Sequence, residues 1–359
     1  MTVPGRNLAA NSEIRIGDRV IGPGHPCFVI AEAGINHNGD IGLAKRIITA
    51  AAEAGADAVK FQNYRTEDFV ADPSLTYEYL SEGRTVVESQ IEMFKRCELG
   101  VSDLRDLKDS CDEAGVAFLS TPTGDQGVRD LVGIGAAAIK NGSDYLGNLP
   151  LLQTMAATGL PVIISTGMAT LDEVEDAVNA FREARGRELA ILHCVSAYPA
   201  PLPELNLRKM DVLSQAFGCP VGFSDHSEGV LAATVATAMG ASIVEKHFTL
   251  DRTLPGPDHR FSADPEGLSE LVRQIRATES CLGDGTFLPA ESEREGRKEY
   301  RLSCQAAKAL NAGHVLAEHD IVFRRPGTAF EPKKRGELVG RRLTRDVAPG
   351  HIFTEADLG

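Results

Sequence analysis

The sequence predicts an α/β protein: a (β/α)8 TIM barrel followed by a small C-terminal domain. Three observations lead there. Apolar runs of four to eight residues alternate with helix-patterned segments eight times between residues 27 and 283, and eight such units in about 250 residues is the arithmetic of a closed barrel. Polar side chains able to do chemistry recur where the runs end, the place where α/β enzymes keep their sites. Beyond residue 283 the alternation stops and a charged stretch leads into an internal repeat. A doubly wound open sheet fits the alternation too, but it rarely needs eight such regular units.

The elements follow in order. After a polar start, CFVIAEAGIN (27–36) is a strand bounded by Pro26 and Asn38-Gly39, and IGLAKRIITAAAEAGA has the i, i+3, i+4 apolar rhythm of a helix closing at Gly55. DAVKFQNY (57–64) leads past an irregular insert to VSDLRDLKDSCDEAG, and AFLSTP (117–122) precedes the helix in GDQGVRDLVG. AAAIKNGS (136–143) pairs with NLPLLQTMAATG, PVIISTG (161–167) with TLDEVEDAVNAFREARG, and ELAILHCVSAYP (188–199) with LNLRKMDVLSQAFG. VGFSDH and SIVEKH are the last two strands, separated by EGVLAATVATAMGA and followed by PEGLSELVRQIRATESCLG (265–283). The expected boundaries are a barrel over 1–285, a linker over 286–299 containing the charge run ESEREGRKE, and a small domain over 300–359. Within that domain ALNAGHVLAEHDI (309–321) and DVAPGHIFTEADL (346–358) repeat one another, each with a Gly-His turn and a helix start.

Composition narrows the function. Hydrophobic content of 43% and charged content of 25% belong to an ordinary globular protein. No apolar run approaches the roughly 18 residues of a membrane span and no secretion signal is evident, so a cytoplasmic protein without a membrane partner is expected. Seven cysteines without a CxxC pair point to reduced thiols rather than a disulfide framework. A net charge of −14 argues against nucleic acid. The charge is uneven: residues 300–359 hold ten Lys/Arg against seven Asp/Glu, so they carry +3 and the first 299 residues −17. A basic domain of that kind can supply cations to an anionic ligand or dock by complementarity.

The densest chemistry lies in residues 219–262. If the last two strands are neighbours, His226 and His247 project from adjacent strand ends. An imidazole pair suits Zn, Mn, Fe or Co; alternatively, each histidine is simply a satisfied polar residue at a strand end. Around the same mouth the other strand ends contribute Glu32 with Asn36 and His37, Lys60 with Gln62, Ser120-Thr121, Lys140 with Ser143, Ser165-Thr166, His193 with Tyr198, Ser224, and Glu245 with Lys246 as a further cation. Two lysines among hydroxyls, with no surplus of carboxylate, describe a site for phosphate or phosphate plus carboxylate, although each lysine could instead be salt-bridged to Glu32 or Glu245.

The motifs AEAGINHNG, AVKFQ, FLSTP, IISTGM, LHCVSAYP, GFSDHS, VEKHFTLD with PGPDHRFS, and RRPG span nearly the whole chain. In that order they resemble the N-acetylneuraminate (sialic acid) synthase family, which condenses phosphoenolpyruvate with an N-acylated hexose to make nonulosonic acids. The repeat resembles that family's C-terminal antifreeze-like (SAF) domain. The resemblance implies Mn2+ (or Mg2+ or Co2+) on His226 and His247, and phosphoenolpyruvate on Lys60, Thr121, Lys140, Ser143, Ser165 and Ser224. It also implies Glu32 beside the reacting centre and sugar contacts from Gln62, Tyr198, Asp258 and, across a domain-swapped homodimer, Arg325. In one place the pattern departs: where many members read K-I-G-S-G-E with the acid facing the sugar, this chain reads Lys140-Asn141-Gly142-Ser143-Asp144-Tyr145. That shifts the expected acceptor from N-acetylmannosamine towards a 2,4-diacetamido-trideoxyhexose, as in legionaminate or pseudaminate synthesis, or another aldose. A non-catalytic ice- or glycan-binding role for the repeat is the remaining alternative; a flat ice-binding face would need regularly spaced threonines, and residues 300–359 hold only Thr328, Thr344 and Thr354.

Overall fold

The computed structural model describes residues 13–81 and 83–359. The chain divides into a unit ending at Gly283 and a second unit, Asp284–Gly359.

The first unit is a closed parallel barrel. Its strands are β1 (Phe28–Gly34), β2 (Ala58–Asn63), β3 (Ala117–Pro122), β4 (Ala138–Asn141), β5 (Val162–Ser165), β6 (Leu189–Cys194), β7 (Val221–Asp225) and β8 (Ile243–His247). They pair in sequence order, and β8 closes onto β1 with Lys246 opposite Ala31 and His247 opposite Glu32. Helices α1 (Ile41–Glu53), α2 (Val101–Ala114), α3 (Asp125–Ile134), α4 (Leu149–Ala157), α5 (Leu171–Glu183), α6 (Lys209–Phe217), α7 (Leu231–Ala238) and α8 (Pro265–Leu282) follow the strands in turn. Local chemistry sets their ends. The Asp40 side chain accepts from the Gly42 and Leu43 amides, Thr170 and Glu173 form a capping box, and α8 starts on Asp264 with Pro265 at its first position.

Strand periodicity places the site. Alternate residues face opposite sides, and the inward set begins apolar: Phe28, Ile30, Ala58, Leu119, Ala138, Ile163, Ala190, Leu192 and Ile243 form one interior cluster. Two residues further along the same strands, the inward set becomes Glu32, Lys60, Thr121, Lys140, Ser165, Cys194 and Glu245. The outward residues, among them Val29, Val59, Phe118, Ile139, Ile164, Ile191, Phe223 and Val244, pack beneath the helices in a second cluster. On β7 the inward position is Gly222, where a Cβ would collide with the Ile243 carbonyl and lie 2.7 Å from Leu192 Cδ2; only glycine lets the strands close there.

Two segments are more regular than expected. The polar start contains an antiparallel hairpin, Ile14–Ile16 with Arg19–Ile21, whose Ile14, Ile16 and Ile21 join the interior cluster and close the N-terminal end of the barrel. The insert after β2 forms a second hairpin, Thr76–Ser81 with Arg84–Ser89, followed by a short helix, Gln90–Arg96. Tyr64, Phe69 and Phe94 brace it edge to face, with ring centroids 4.9 to 5.5 Å apart. Residues 291–299, expected as part of a linker, are helical in two short pieces, Glu291–Glu293 and Arg294–Tyr300, the second running one residue into the expected small domain.

The second unit has its own core, with Cys304, Leu316, Leu338, Leu343 and Phe353 among its buried residues. Its two half-repeats are held alike. Asp320 accepts from His314 Nε2 at 2.8 Å and from the Ala317 amide at 3.0 Å; Asp357 accepts from His351 Nε2 at 3.0 Å and from the Thr354 amide at 2.7 Å. The repeat thus encodes one capping device used twice. All seven cysteines are free, and among the described residues no helix is long and apolar enough to cross a membrane.

Candidate active site

A cavity of about 430 Å3 opens at the C-terminal ends of the strands. A larger one, about 870 Å3, lies at the opposite end, against Pro26, Cys27, Pro220 and Ser242. Only the first collects the residues singled out in the sequence. Twelve of the thirteen line it: Glu32, Lys60, Gln62, Thr121, Lys140, Ser143, Ser165, Tyr198, Ser224, His226, His247 and Asp258. The thirteenth, Arg325, belongs to the second unit, where its Nε donates to the Tyr300 carbonyl at 3.1 Å and its guanidinium stacks 5.1 Å from the Tyr300 ring.

Both lysines are buried and charge-compensated. Lys60 Nζ lies 2.6 Å from Glu32 Oε2 and donates to Thr121 Oγ1 at 3.2 Å. Lys140 Nζ donates to Ser165 Oγ at 2.6 Å and to the Asn141 carbonyl at 3.1 Å. Glu245 sits between them, 3.8 Å from Lys60 and 3.9 Å from Lys140; its Oε1 accepts from Ser224 at 2.9 Å, and its Oε2 is buried without a hydrogen bond. The lysine-to-glutamate pairing that the sequence allowed is thus present, with Lys60 against Glu32 and Glu245 within 4 Å of both ammoniums. Burial pushes the Glu32 carboxyl up to about 7, against the pull of Lys60 and with Glu245 adding to it. Burial lowers Lys140, whereas for Lys60 the two glutamates outweigh burial and raise it.

The cavity corrects two expectations about charge. Asp144 and Asp258 join Glu32 and Glu245 on its wall, so carboxylates outnumber the two lysines. Lys246, expected as a further cation of the mouth, faces away: it pairs with Asp225 at 2.9 Å and donates to the Ser227 carbonyl. The register that sets Asp225 opposite Lys246 makes the charges beside the two histidines each other's partners.

That register brings the imidazoles together, with ring centroids 5.3 Å apart. His226 Nδ1 lies 2.9 Å from the Val195 carbonyl, a bond that places the ring proton there and leaves Nε2 as the donor atom, the usual arrangement of a metal-ligating histidine. His247 Nδ1 is buried without a hydrogen bond, 3.8 Å from Asp258 Oδ2. Burial holds the His247 imidazole neutral, the form that binds metals. No group of three His, Cys, Asp or Glu side chains among the described residues converges to hold an ion. The pair fits a divalent cation that takes its other ligands from water or substrate. Tyr198 stacks on His226 at 4.2 Å and Phe261 meets His247 at 5.1 Å.

Sequence reasoning passed over several lining residues. Cys194 Sγ is 3.8 Å from His226 Nδ1, and the imidazole lowers the thiol against burial; its signal was the inward period of β6. Tyr77, Phe69, Met93 and Phe94 come from the insert and give the mouth an apolar side. Asn36 and His193, read as strand-end candidates, serve structure instead: Asn36 Nδ2 donates to the Phe248 carbonyl at 2.9 Å and to Ser262 Oγ at 3.0 Å, and His193 Nε2 pairs with the Leu205 carbonyl.

A closed barrel with paired ammoniums, hydroxyls and imidazoles at its C-terminal mouth defines an enzyme acting on a small anionic substrate. The chain belongs to the NeuB family, which matches residues 47–287 and whose members are phosphoenolpyruvate-condensing enzymes; a SAF domain matches residues 303–359. It is 39% identical to the N,N'-diacetyllegionaminic acid synthase of Legionella pneumophila, over 96% of this chain and 97% of that one. It is 35% identical to human N-acetylneuraminate-9-phosphate synthase, over 94% of each. The crystal structure of an N-acetylneuraminic acid (sialic acid) synthetase from Leptospira borgpetersenii, in complex with citrate, superposes with a TM-score of 0.72 at 37% identity, covering 80% of this chain and 95% of that one.

Proposed function

We propose that the protein condenses phosphoenolpyruvate with an N-acylated amino-hexose in its open-chain form, making a nonulosonic acid and releasing phosphate. The observation that carries this reading is the convergence of Lys60, Lys140 and four hydroxyls with the histidine pair in one cavity. Phosphoenolpyruvate would displace the glutamates from the two ammoniums, with the Thr121, Ser143, Ser165 and Ser224 hydroxyls completing its contacts. Ser143 Oγ already accepts the Gly167 amide at 3.0 Å, and a ligand oxygen would compete with the neighbouring Cys194 sulfur for its proton. C3 of the enol phosphate adds to the aldehyde carbon, water adds at C2, and the C2–O bond breaks to release phosphate. Glu32, poised near neutrality beside Lys60 and Gln62, is placed to take up or return the proton this sequence moves. A divalent ion on His226 and His247, with Mn2+ the best match, would supply Lewis-acid polarisation of the aldehyde oxygen.

For the acceptor, the wall of Tyr64, Phe69, Tyr77, Phe94 and Tyr145 favours a deoxygenated, doubly acylated sugar over a polyol, because hydroxyls facing aromatic rings lose hydrogen bonds to water. The similarity to the Legionella enzyme supports the same choice. Phosphate release from phosphoenolpyruvate should require a sugar and should be faster in kcat/KM with a 2,4-diacetamido-trideoxyhexose than with N-acetylmannosamine. A preference of about tenfold or more for N-acetylmannosamine would reverse the acceptor assignment, and release with neither sugar would remove the condensation.

A further inference from the structure

We infer that Lys246, through its ion pair with Asp225, is a positioning residue that fixes the spacing of the His226 and His247 imidazoles and thereby sets the affinity for a divalent ion; the inference rests on the metal site proposed above. Among the described residues that line the catalytic cavity neither Asp225 nor Lys246 appears. Both stand on the outward side of their strands, where the preceding outward positions are Phe223 opposite Val244, two members of the apolar layer beneath the helices. Both are buried, so the pair is withdrawn from water beside that layer. A buried ion pair gains little over well-packed apolar residues, because desolvation consumes most of the attraction. Its place, one residue before each histidine, points to a role other than stability.

The hydrogen bonds show what that role is. Lys246 Nζ lies 2.9 Å from Asp225 Oδ2 and also donates to the Ser227 carbonyl. Asp225 Oδ1 accepts from the Ser227 amide at 2.8 Å and from the Ser227 hydroxyl at 2.7 Å. One ammonium from β8 thus grips the chain on both sides of His226, and the residue that carries it is joined directly to His247. The other bonds tie each histidine to a different loop: the His226 carbonyl accepts from the Ala200 amide at 3.0 Å, and the His247 carbonyl accepts from the Ala263 amide at 2.8 Å. The strand ladder between β7 and β8 reaches its last register pair at Asp225 and Lys246, so beyond it this clamp carries the alignment of the two rings, whose centroids are 5.3 Å apart. Two ligands that come from separate strand ends bind an ion well only if that distance is set before the ion arrives.

The test measures Mn2+ dissociation constants by electron paramagnetic resonance for wild type and for the double variant Asp225→Asn/Lys246→Met, which removes both charges together and leaves an amide oxygen at position 225 to accept from Ser227. The double variant should bind Mn2+ about ten- to a hundredfold more weakly. The metal-free proteins should nevertheless unfold at the same urea concentration, and at saturating Mn2+ the phosphoenolpyruvate KM should stay at its wild-type value. Lys246→Arg keeps the charge but replaces a compact ammonium with a broad fork; it should weaken Mn2+ binding by about threefold or more, and it decides the question if the double variant does not fold. Unchanged Mn2+ affinity in a folded variant would overturn the positioning role, and so would an affinity that falls only together with the urea midpoint, because that marks general damage. Wild type that binds no Mn2+ would instead overturn the metal site, and the positioning role with it.

Discussion

Glu245→Gln separates the two demands placed on the lysine pair. In the wild-type protein Glu245 is 3.8 Å from Lys60 and 3.9 Å from Lys140. At an effective dielectric of about 20, each approach is worth about 4 kcal/mol before desolvation is counted. Removing one partner of a buried pair typically costs about 3–5 kcal/mol. Lys60 keeps Glu32 at 2.6 Å, so the loss falls mainly on Lys140, whose other partners are a hydroxyl and a carbonyl, and we expect about 3 kcal/mol. The variant should unfold at lower urea by far-ultraviolet circular dichroism in the absence of ligand. Phosphoenolpyruvate should then restore more stability to the variant than it adds to wild type, because the ligand's negative charge replaces the one removed. A loss below about 1 kcal/mol, with the same ligand-induced shift in both proteins, would refute the view that Glu245 holds the place of the anion.

Other predictions follow from the same geometry. Chelation should abolish phosphate release and Mn2+ should restore it, while His247→Ala should bind less metal by elemental analysis and keep its far-ultraviolet spectrum; undiminished turnover after verified chelation would remove the ion from the reaction. If Arg325 of one chain completes the barrel of another, inactive His247→Ala and inactive Arg325→Ala should regain activity when their subunits exchange. Verified exchange without recovery would mean each site is built within one chain. In the second unit, Asp357 is held down to about 2, burial being outweighed by His351, Thr354 and Arg345. With the folded value below the ordinary 3.8, its contribution is present above pH 4 and is lost as pH falls towards 2. Urea titration should show that slope, and Asp357→Asn should flatten it.

Much of the barrel was legible because period two and period 3.6 are local properties of the chain. Most of the twelve residues that share the cavity were legible for the same reason, since they lie where apolar runs end; Asp258 was reached only through the motif PGPDHRFS and its resemblance. The two hairpins were missed where their cues were weak: IRIGDRVI is short and charged, and the 74–89 segment breaks any alternation with Tyr77-Glu78-Tyr79 on one side of Gly83 and the adjacent pair Val86-Val87 on the other. Pairing was the larger omission. Asp225 and Lys246 are 21 residues apart, and only the register of β7 against β8 shows that they satisfy each other rather than the histidines beside them. The carboxylate excess was hidden likewise, because Asp144 and Asp258 lie in loops whose approach to the mouth no periodicity records.

The two-layered barrel interior also constrains how such an enzyme can diversify. Within a strand, the apolar and reactive positions share one backbone, and a single inserted residue would turn both to the wrong side. Past the strand end that coupling lapses: residues 144 and 145 can be exchanged without moving Ile163 or Lys140. Substrate preference can drift through these terminal turns while the lysines and the plug of isoleucines stay in register, and the Asp144-Tyr145 pair has the position expected of such a change.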